Sequence, residues 1–262
     1  MNFATLKTEK HRIESILLVT LNRPAVRNAI NIEMMRELRQ FWQAIFINPN
    51  AWRCIILTGS EGAFCAGADL KERKNMNLDV WHSQHAVLQQ AMLAMLDCPV
   101  PIISAVNGAA FGGGLELVLA SDFAYASTKA VFGQSEVKLG IMPGALGTQN
   151  LPRACGLKRA KELCFTAESF SAINAYEWGI INRVCEPEEL MREVLATAEK
   201  IAMNAPLAVR EVKKALNMSQ QLDIKSGYAF EVEAYNRLLP TEDREEGINA
   251  FNEKRKPAFT GK

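Results

Sequence analysis

The sequence predicts an α/β fold, a layered and coiled core followed by a helical C-terminal part. Three observations predict it. Short apolar runs alternate with segments of helical periodicity over the first 145 or so of the 262 residues. Each run stops at a turn built from Asn, Gly or Pro. After that region the helical period dominates, and the short strands are too irregular for a clean dinucleotide-binding alternation.

Ile16 to Leu21 reads as a buried strand ended by Asn22-Arg23-Pro24. Asn31 is placed to cap a helix over Ile32 to Ile47, with Met35, Leu38, Phe41, Trp42 and Ile45 at helical spacing. Cys54 to Leu57 is a second strand, closed by Thr58-Gly59. A polar stretch from Lys71 to Leu78, expected to be mobile, precedes a helix over Asp79 to Leu96 that Pro99 and Pro101 stop. Pro101 to Val106 is extended and runs into Asn107-Gly108, after which Gly112 to Gly114 open an apolar helix. Phe123 to Ala126 and Ala130 to Phe132 are extended pieces. Ser171 begins a helix ended by Gly179. Pro187 and Pro206 stand where first-turn prolines belong, and Thr241 opens a last helix ending in Lys254-Arg255-Lys256.

Three windows carry possible chemistry. In the glycine-opened helix, Glu116 is the single acid among Leu115, Leu117, Val118 and Leu119. Bare helix-start N–H groups suit an oxygen that gains negative charge, and an acid in apolar surroundings has its pKa pushed up. Tight packing with a snorkelling glutamate would read the same. The second window is Phe64 to Arg73, small residues entering a charged turn; a tight loop beside a strand explains it as readily. Cys65 within it reads as a structural thiol. The third is Gly133 to Gly144, where Glu136 taken alone reads as a surface acid paired with Lys138. His82 and His85 read as surface or core filler.

The charge balance excludes other classes. Thirty Lys+Arg against 29 Asp+Glu leave +1, no field for nucleic acid or an anionic membrane. The six cysteines are scattered without C-x-x-C spacing and the chain has three His, which argues against a metal site and fits a reducing compartment. A cytoplasmic protein without a membrane segment is the expectation.

Taken together and in this order, the windows resemble the crotonase (enoyl-CoA hydratase/isomerase) family across essentially the whole chain. The anchors are L-N-R-P near residue 21, F-C-A-G-A-D-L-K-E-R from Phe64 and A-V-N-G-A-A-F-G-G-G-L-E-L from Ala105. F-G-Q-S-E-V-K-L-G-I-M-P-G follows from Phe132 and G-T-Q-N-L-P-R from Gly147, and A-F-N-E-K-R-K-P-A-F lies near the end. The wording around Phe64 to Arg73 is closest to the hydratase branch that includes methylglutaconyl-CoA hydratases.

The resemblance implies a crotonase-like coiled ββα superhelix core over residues 1–200. A helical region, 201–262, would serve trimerisation and completion of the coenzyme A site. It implies an acyl-CoA thioester substrate, with coenzyme A as part of the substrate and no separate cofactor. The backbone N–H groups of Ala68 and Gly113 would hold the thioester oxygen; Glu116 would act on water and Glu136 as the acid–base at Cα. Coenzyme A would lie along Ala66, Gly67, Ala68, Asp69, Leu70 and Lys71 beside Gly113, with Phe251 and Lys254 beside the nucleotide, from an adjacent subunit of a homo-trimer or dimer of trimers. The expected activity is hydration of a trans-2-enoyl-CoA. The alternatives are Δ3–Δ2-enoyl-CoA isomerisation and a non-catalytic coenzyme A- or RNA-binding scaffold. Several positions depart from the family pattern. Leu146 stands where many relatives carry glycine, and its bulk is expected to narrow or shift the acyl pocket. Asn150 replaces a frequent Arg and Ser135 a frequent Pro. Ala25 follows the Asn-Arg-Pro turn, where relatives often carry a basic residue.

Overall fold

The computed structural model describes residues 3–262. Its strands are β1 (Leu6–Lys10), β2 (Ile16–Leu21), β3 (Cys54–Gly59), β4 (Ala63–Cys65), β5 (Ile102–Val106), β6 (Ala109–Phe111), β7 (Phe123–Ser127), β8 (Val131–Gly133), β9 (Phe170–Ser171) and β10 (Arg183–Cys185). The helices of the first half are α1 (Ile32–Ile47), α2 (Leu70–Arg73), α3 (Leu78–Leu96) and α4 (Gly113–Ala120). Those of the second are α5 (Gly147–Cys155), α6 (Leu157–Thr166), α7 (Ala172–Glu177), α8 (Leu190–Ala202), α9 (Pro206–Ser219), α10 (Ile224–Leu238) and α11 (Glu242–Asn252).

Two sheets form. The larger has the order β1-β2-β3-β5-β7-β10, parallel except for the antiparallel β1–β2 pair. The smaller has the order β4-β6-β8-β9. The chain visits them alternately: β3 then β4, β5 then β6, β7 then β8, each pair followed by helical structure. Successive pairs stack in parallel, so the core is a coil of ββα turns, as the sequence predicts.

Both faces of the large sheet are covered, which is why its strands read as continuous apolar runs. Leu17, Val19, Leu21, Ile55 and Leu57 meet a core built with α1, α3 and α4. Ile16, Cys54, Ile56, Ile103 and Ala105 meet Leu190, Val194, Ala198 and Ala202 of α8 on the other side. Helix α1 has the predicted limits, and Asn31 caps it by accepting from the Met34 N–H at 3.0 Å. The C-terminal helices α9 and α10 pair with each other and leave Val212, Leu216, Tyr228 and Tyr235 exposed.

Some local expectations are corrected. The stretch from Lys71 to Leu78 contains the end of a short helix, because the Asp69 carboxylate accepts from the N–H groups of Lys71 and Glu72 at 3.1 and 3.4 Å. Pro187 lies in a turn ahead of α8 rather than in its first turn. Lys254, Arg255 and Lys256 follow the last helix instead of ending it.

Candidate active site

The site lies where the first turns of the coil face the loop after β8. A cavity of about 630 Å³ is lined by the Ala66 to Ala68 loop, Gly112, Gly113 and Glu116 of the β6–α4 turn, and Ser135 and Glu136. Leu70, Arg73, Trp81, His82 and His85 close one wall, and Leu139 to Gly144 another. The three sequence windows therefore converge on one space.

Close backbone approach brings the first two together. Gly67 has φ +91°, and a Cβ there would sit 2.8 Å from the Phe111 carbonyl oxygen and 3.7 Å from the Gly113 nitrogen. Any side chain at this point would drive the loop off β6. Ile30 holds the loop from the other side, its N–H donating to Gly67 at 2.7 Å and its carbonyl accepting from Asp69 at 2.9 Å. Ala68, between those two residues, faces the cavity, and so does Gly113 at the first position of α4. Among the described residues, neither backbone N–H has a hydrogen-bond partner. Two open donors on adjacent segments, one at a helix N-terminus, form an anion-stabilising arrangement.

The acids reach the same space from two elements, α4 and the turn after β8. Glu116 is 3 % exposed, and its Oε1 accepts from the N–H groups of Ala145 at 2.8 Å and Gly147 at 2.7 Å. Burial pushes its pKa up to about 7 against those two donors; the Glu136 charge pushes it further and Arg73 pulls it back. Glu136 sits in a 3₁₀ turn over Glu136–Leu139 and accepts at Oε1 from the Gln134 amide at 2.9 Å. Burial raises its pKa too, opposed by hydrogen bonds from its own backbone and Gln134 and by Arg73. Gly112, at φ +49°, makes room: a Cβ there would lie 3.0 Å from the Glu136 Oε1. Glu136 is thus no surface acid, and Lys138 donates to the Ala167 carbonyl at 2.7 Å instead of to it.

The chain matches a family model described as enoyl-CoA hydratase/isomerase over residues 11–262. The chain belongs to the enoyl-CoA hydratase/isomerase family. It is similar to the putative enoyl-CoA hydratase/isomerase YngF of Bacillus subtilis, 44% identical with 95% of each chain covered. It is 42% identical to the short-chain-enoyl-CoA hydratase of Clostridium acetobutylicum, with 92% of each covered. Among solved structures, an enoyl-CoA hydratase from Bacillus anthracis superposes with TM-score 0.95 at 39% identity, covering 98% of this chain and 100% of that one. The chain is accordingly an enzyme of hydratase-like, lyase type with the crotonase fold.

Within this family member, other anticipated residues are placed as follows. Asp69 does not line the cavity; it caps α2 and pairs with Arg23 at 3.0 Å, which together with the capping N–H groups holds its carboxyl below the usual range despite burial. Lys71 is exposed outside the cavity wall. Phe251, 84% exposed, lines a separate concavity with Leu207, Tyr235 and Phe259, so within one chain it and Lys254 stand away from the acids. Leu146 does not narrow the cavity: it packs on the main core, and its left-handed backbone (φ 76°) turns the chain into α5. Cys65 is fully buried, and burial drives its thiol up to about 12, so it is no nucleophile.

Sequence reasoning missed the supporting residues. Arg73 lines the cavity with its guanidinium 4.6 Å from the Trp81 ring centre, and no side-chain hydrogen bond or ion pair holds it among the described residues. Burial lowers its pKa, opposed by Glu72, Glu116 and Glu136. His85, read as filler, lines the cavity with its ring against Gly144. Gln134 and the amides of Ala145 and Gly147 were equally unmarked. The one available signal was Gln134, a polar residue directly after an apolar strand and two before an acid.

Proposed function

We propose that this protein hydrates a trans-2-enoyl-CoA, adding water across the double bond next to the thioester. One observation carries the reading: a buried acid, a half-buried acid and two backbone donors unpaired among the described residues open on a single cavity. The N–H groups of Ala68 and Gly113 would grip the thioester oxygen and hold the negative charge that reaches it when the nucleophile adds at Cβ. Ionised Glu116, anchored by Ala145 and Gly147, would take a proton from water as the oxygen bonds to Cβ. Glu136 would deliver a proton to Cα, and exchange with solvent would restore both acids. No electrons change hands overall, so the reaction calls for no cofactor beyond the coenzyme A of the substrate.

The coenzyme would run along Ala66 to Lys71, with Phe251 and Lys254 of a neighbouring copy beside its nucleotide end. The exposed apolar faces of α9 and α10 support residues 201–262 as the oligomerisation region of a trimer or dimer of trimers in the cytoplasm. A place in fatty-acid or other acyl-CoA breakdown would follow from the reaction.

The test is loss of enoyl-thioester absorbance when crotonyl-CoA is mixed with the protein, compared with Glu116→Gln and Glu136→Gln. The reading predicts a fall of about 10²–10⁴ in kcat for each variant. Equal turnover by all three proteins would remove it.

A further inference from the structure

The cavity has two unlike ends. Its mouth is rimmed by Leu70, Leu139 and Met142, each at least half exposed. Its other end is formed by Ile30, Met35 and Leu88, which line the cavity and belong to the main core as well. Met35 is 2 % exposed and Leu88 8 %. Helix α3 gives the direction between the two ends. Trp81, His85 and Leu88 lie on one face of it at steps of four and three, with His82 beside them. Burial deepens along that face, from exposed His82 through half-buried His85 to buried Leu88. The rise from Trp81 to Leu88 is about 10 Å of helix.

An acyl-CoA has unlike ends too. Coenzyme A is charged and carries its nucleotide far from the thioester, so it leaves through the mouth. The apolar acyl chain then points to the closed end. Ile30 marks where that chain starts. A Cβ on Gly113 would lie 3.2 Å from Ile30 Cδ1, so this methyl stands beside one of the two open donors. Met35 follows in the first turn of α1 and reaches the same cavity. Its unbranched thioether is the most adaptable of the three floor side chains, and beyond it lies close-packed core. Each acyl methylene buried above the floor should tighten binding by about fourfold. A carbon past the floor must instead displace core side chains, and overpacking cancels that gain.

We propose that Met35 determines acyl length in this protein, forming with Leu88 the floor on which the end of the acyl chain rests. The inference rests on the hydratase reading only for the orientation of the thioester.

Calorimetry with saturated acyl-CoAs, from butyryl- to dodecanoyl-CoA in two-carbon steps, tests it without turnover. Wild-type affinity should rise with length and then break off where the chain meets Met35. Met35→Ala removes the side chain beyond Cβ, roughly the room of two or three methylenes. The break should therefore move at least one step longer, and the first acyl-CoA past the wild-type break should gain about tenfold relative to butyryl-CoA. A break that stays in place, or wild-type affinity that rises unbroken to dodecanoyl-CoA, overturns the proposal. If Met35→Ala does not fold, the wild type labelled in its methionine methyls still decides. The Met35 methyl resonance, assigned with Met35→Leu, should shift with the longest acyl chain before the break and far less with butyryl-CoA. An equal shift, or none, overturns the proposal. Crotonyl-CoA left unchanged by a protein whose break moves as predicted would sink the hydratase reading and leave the floor standing.

Discussion

Replacing Glu116 with Gln should make the protein more stable, and by an amount that depends on pH. Burial lifts the Glu116 pKa from 4.5 to about 7. The native state therefore binds this proton more tightly than the unfolded chain does. Between those two values the native state holds more protons than the unfolded state, so stability falls as pH rises. The full difference corresponds to about 3 kcal/mol above pH 8. Glutamine keeps a carbonyl that can accept from Ala145 and Gly147 and carries no charge to bury. Glu116→Gln should match the wild type near pH 4.5 and exceed it by about 2–3 kcal/mol at pH 8, a gain of roughly 5–10 °C in melting temperature. Urea unfolding at both pH values and one protein concentration measures this. A difference equal at the two pH values, or a variant less stable than wild type at pH 8, would show that the site does not strain the charged acid.

Three further outcomes follow from the same geometry. Gly147→Ala places a methyl 2.8 Å from Glu116 Oε1 and should lower kcat on crotonyl-CoA by tenfold or more, read by absorbance. Arg73 is a half-buried guanidinium on the cavity wall with no ion pair among the described residues, so acyl groups ending in a carboxylate should bind better than uncharged ones of the same shape. Calorimetry should find that preference, glutaryl-CoA over 5-methylhexanoyl-CoA, reduced at least tenfold in Arg73→Met. Asp69→Ala removes the α2 cap and the Arg23 partner, and should cost about 1–3 kcal/mol at pH 7 in urea unfolding. That contribution fades in the wild type as pH falls through the lowered Asp69 pKa.

The long elements were legible in the sequence because local signals agreed with burial. In α1, an Asn cap and five apolar positions at helical spacing point to one answer, and the helix has the predicted ends. The small sheet was only partly legible: Ala130 to Phe132 reads as extended where β8 lies, but β4 and β6, three residues each beside glycines, do not, and the pairing is settled by the stacking of coil turns. At the site, Glu116 stood out as an acid in an apolar helix. Glu136 did not, because only the tertiary fold puts Gln134 and Gly112 against it and turns Lys138 toward Ala167. Asp69 lies in the loop that carries Ala68, but its carboxylate is taken up by the cap of α2 and an ion pair with Arg23, which only the tertiary fold reveals.

The most direct measurement is a crystal structure with butyryl-CoA, the saturated counterpart of the proposed substrate. The account predicts the thioester oxygen about 2.7–3.1 Å from both the Ala68 and Gly113 nitrogens, with Cα and Cβ between the carboxyls of Glu116 and Glu136. A thioester oxygen bound elsewhere, or an acyl chain reaching only one of the two acids, would contradict it.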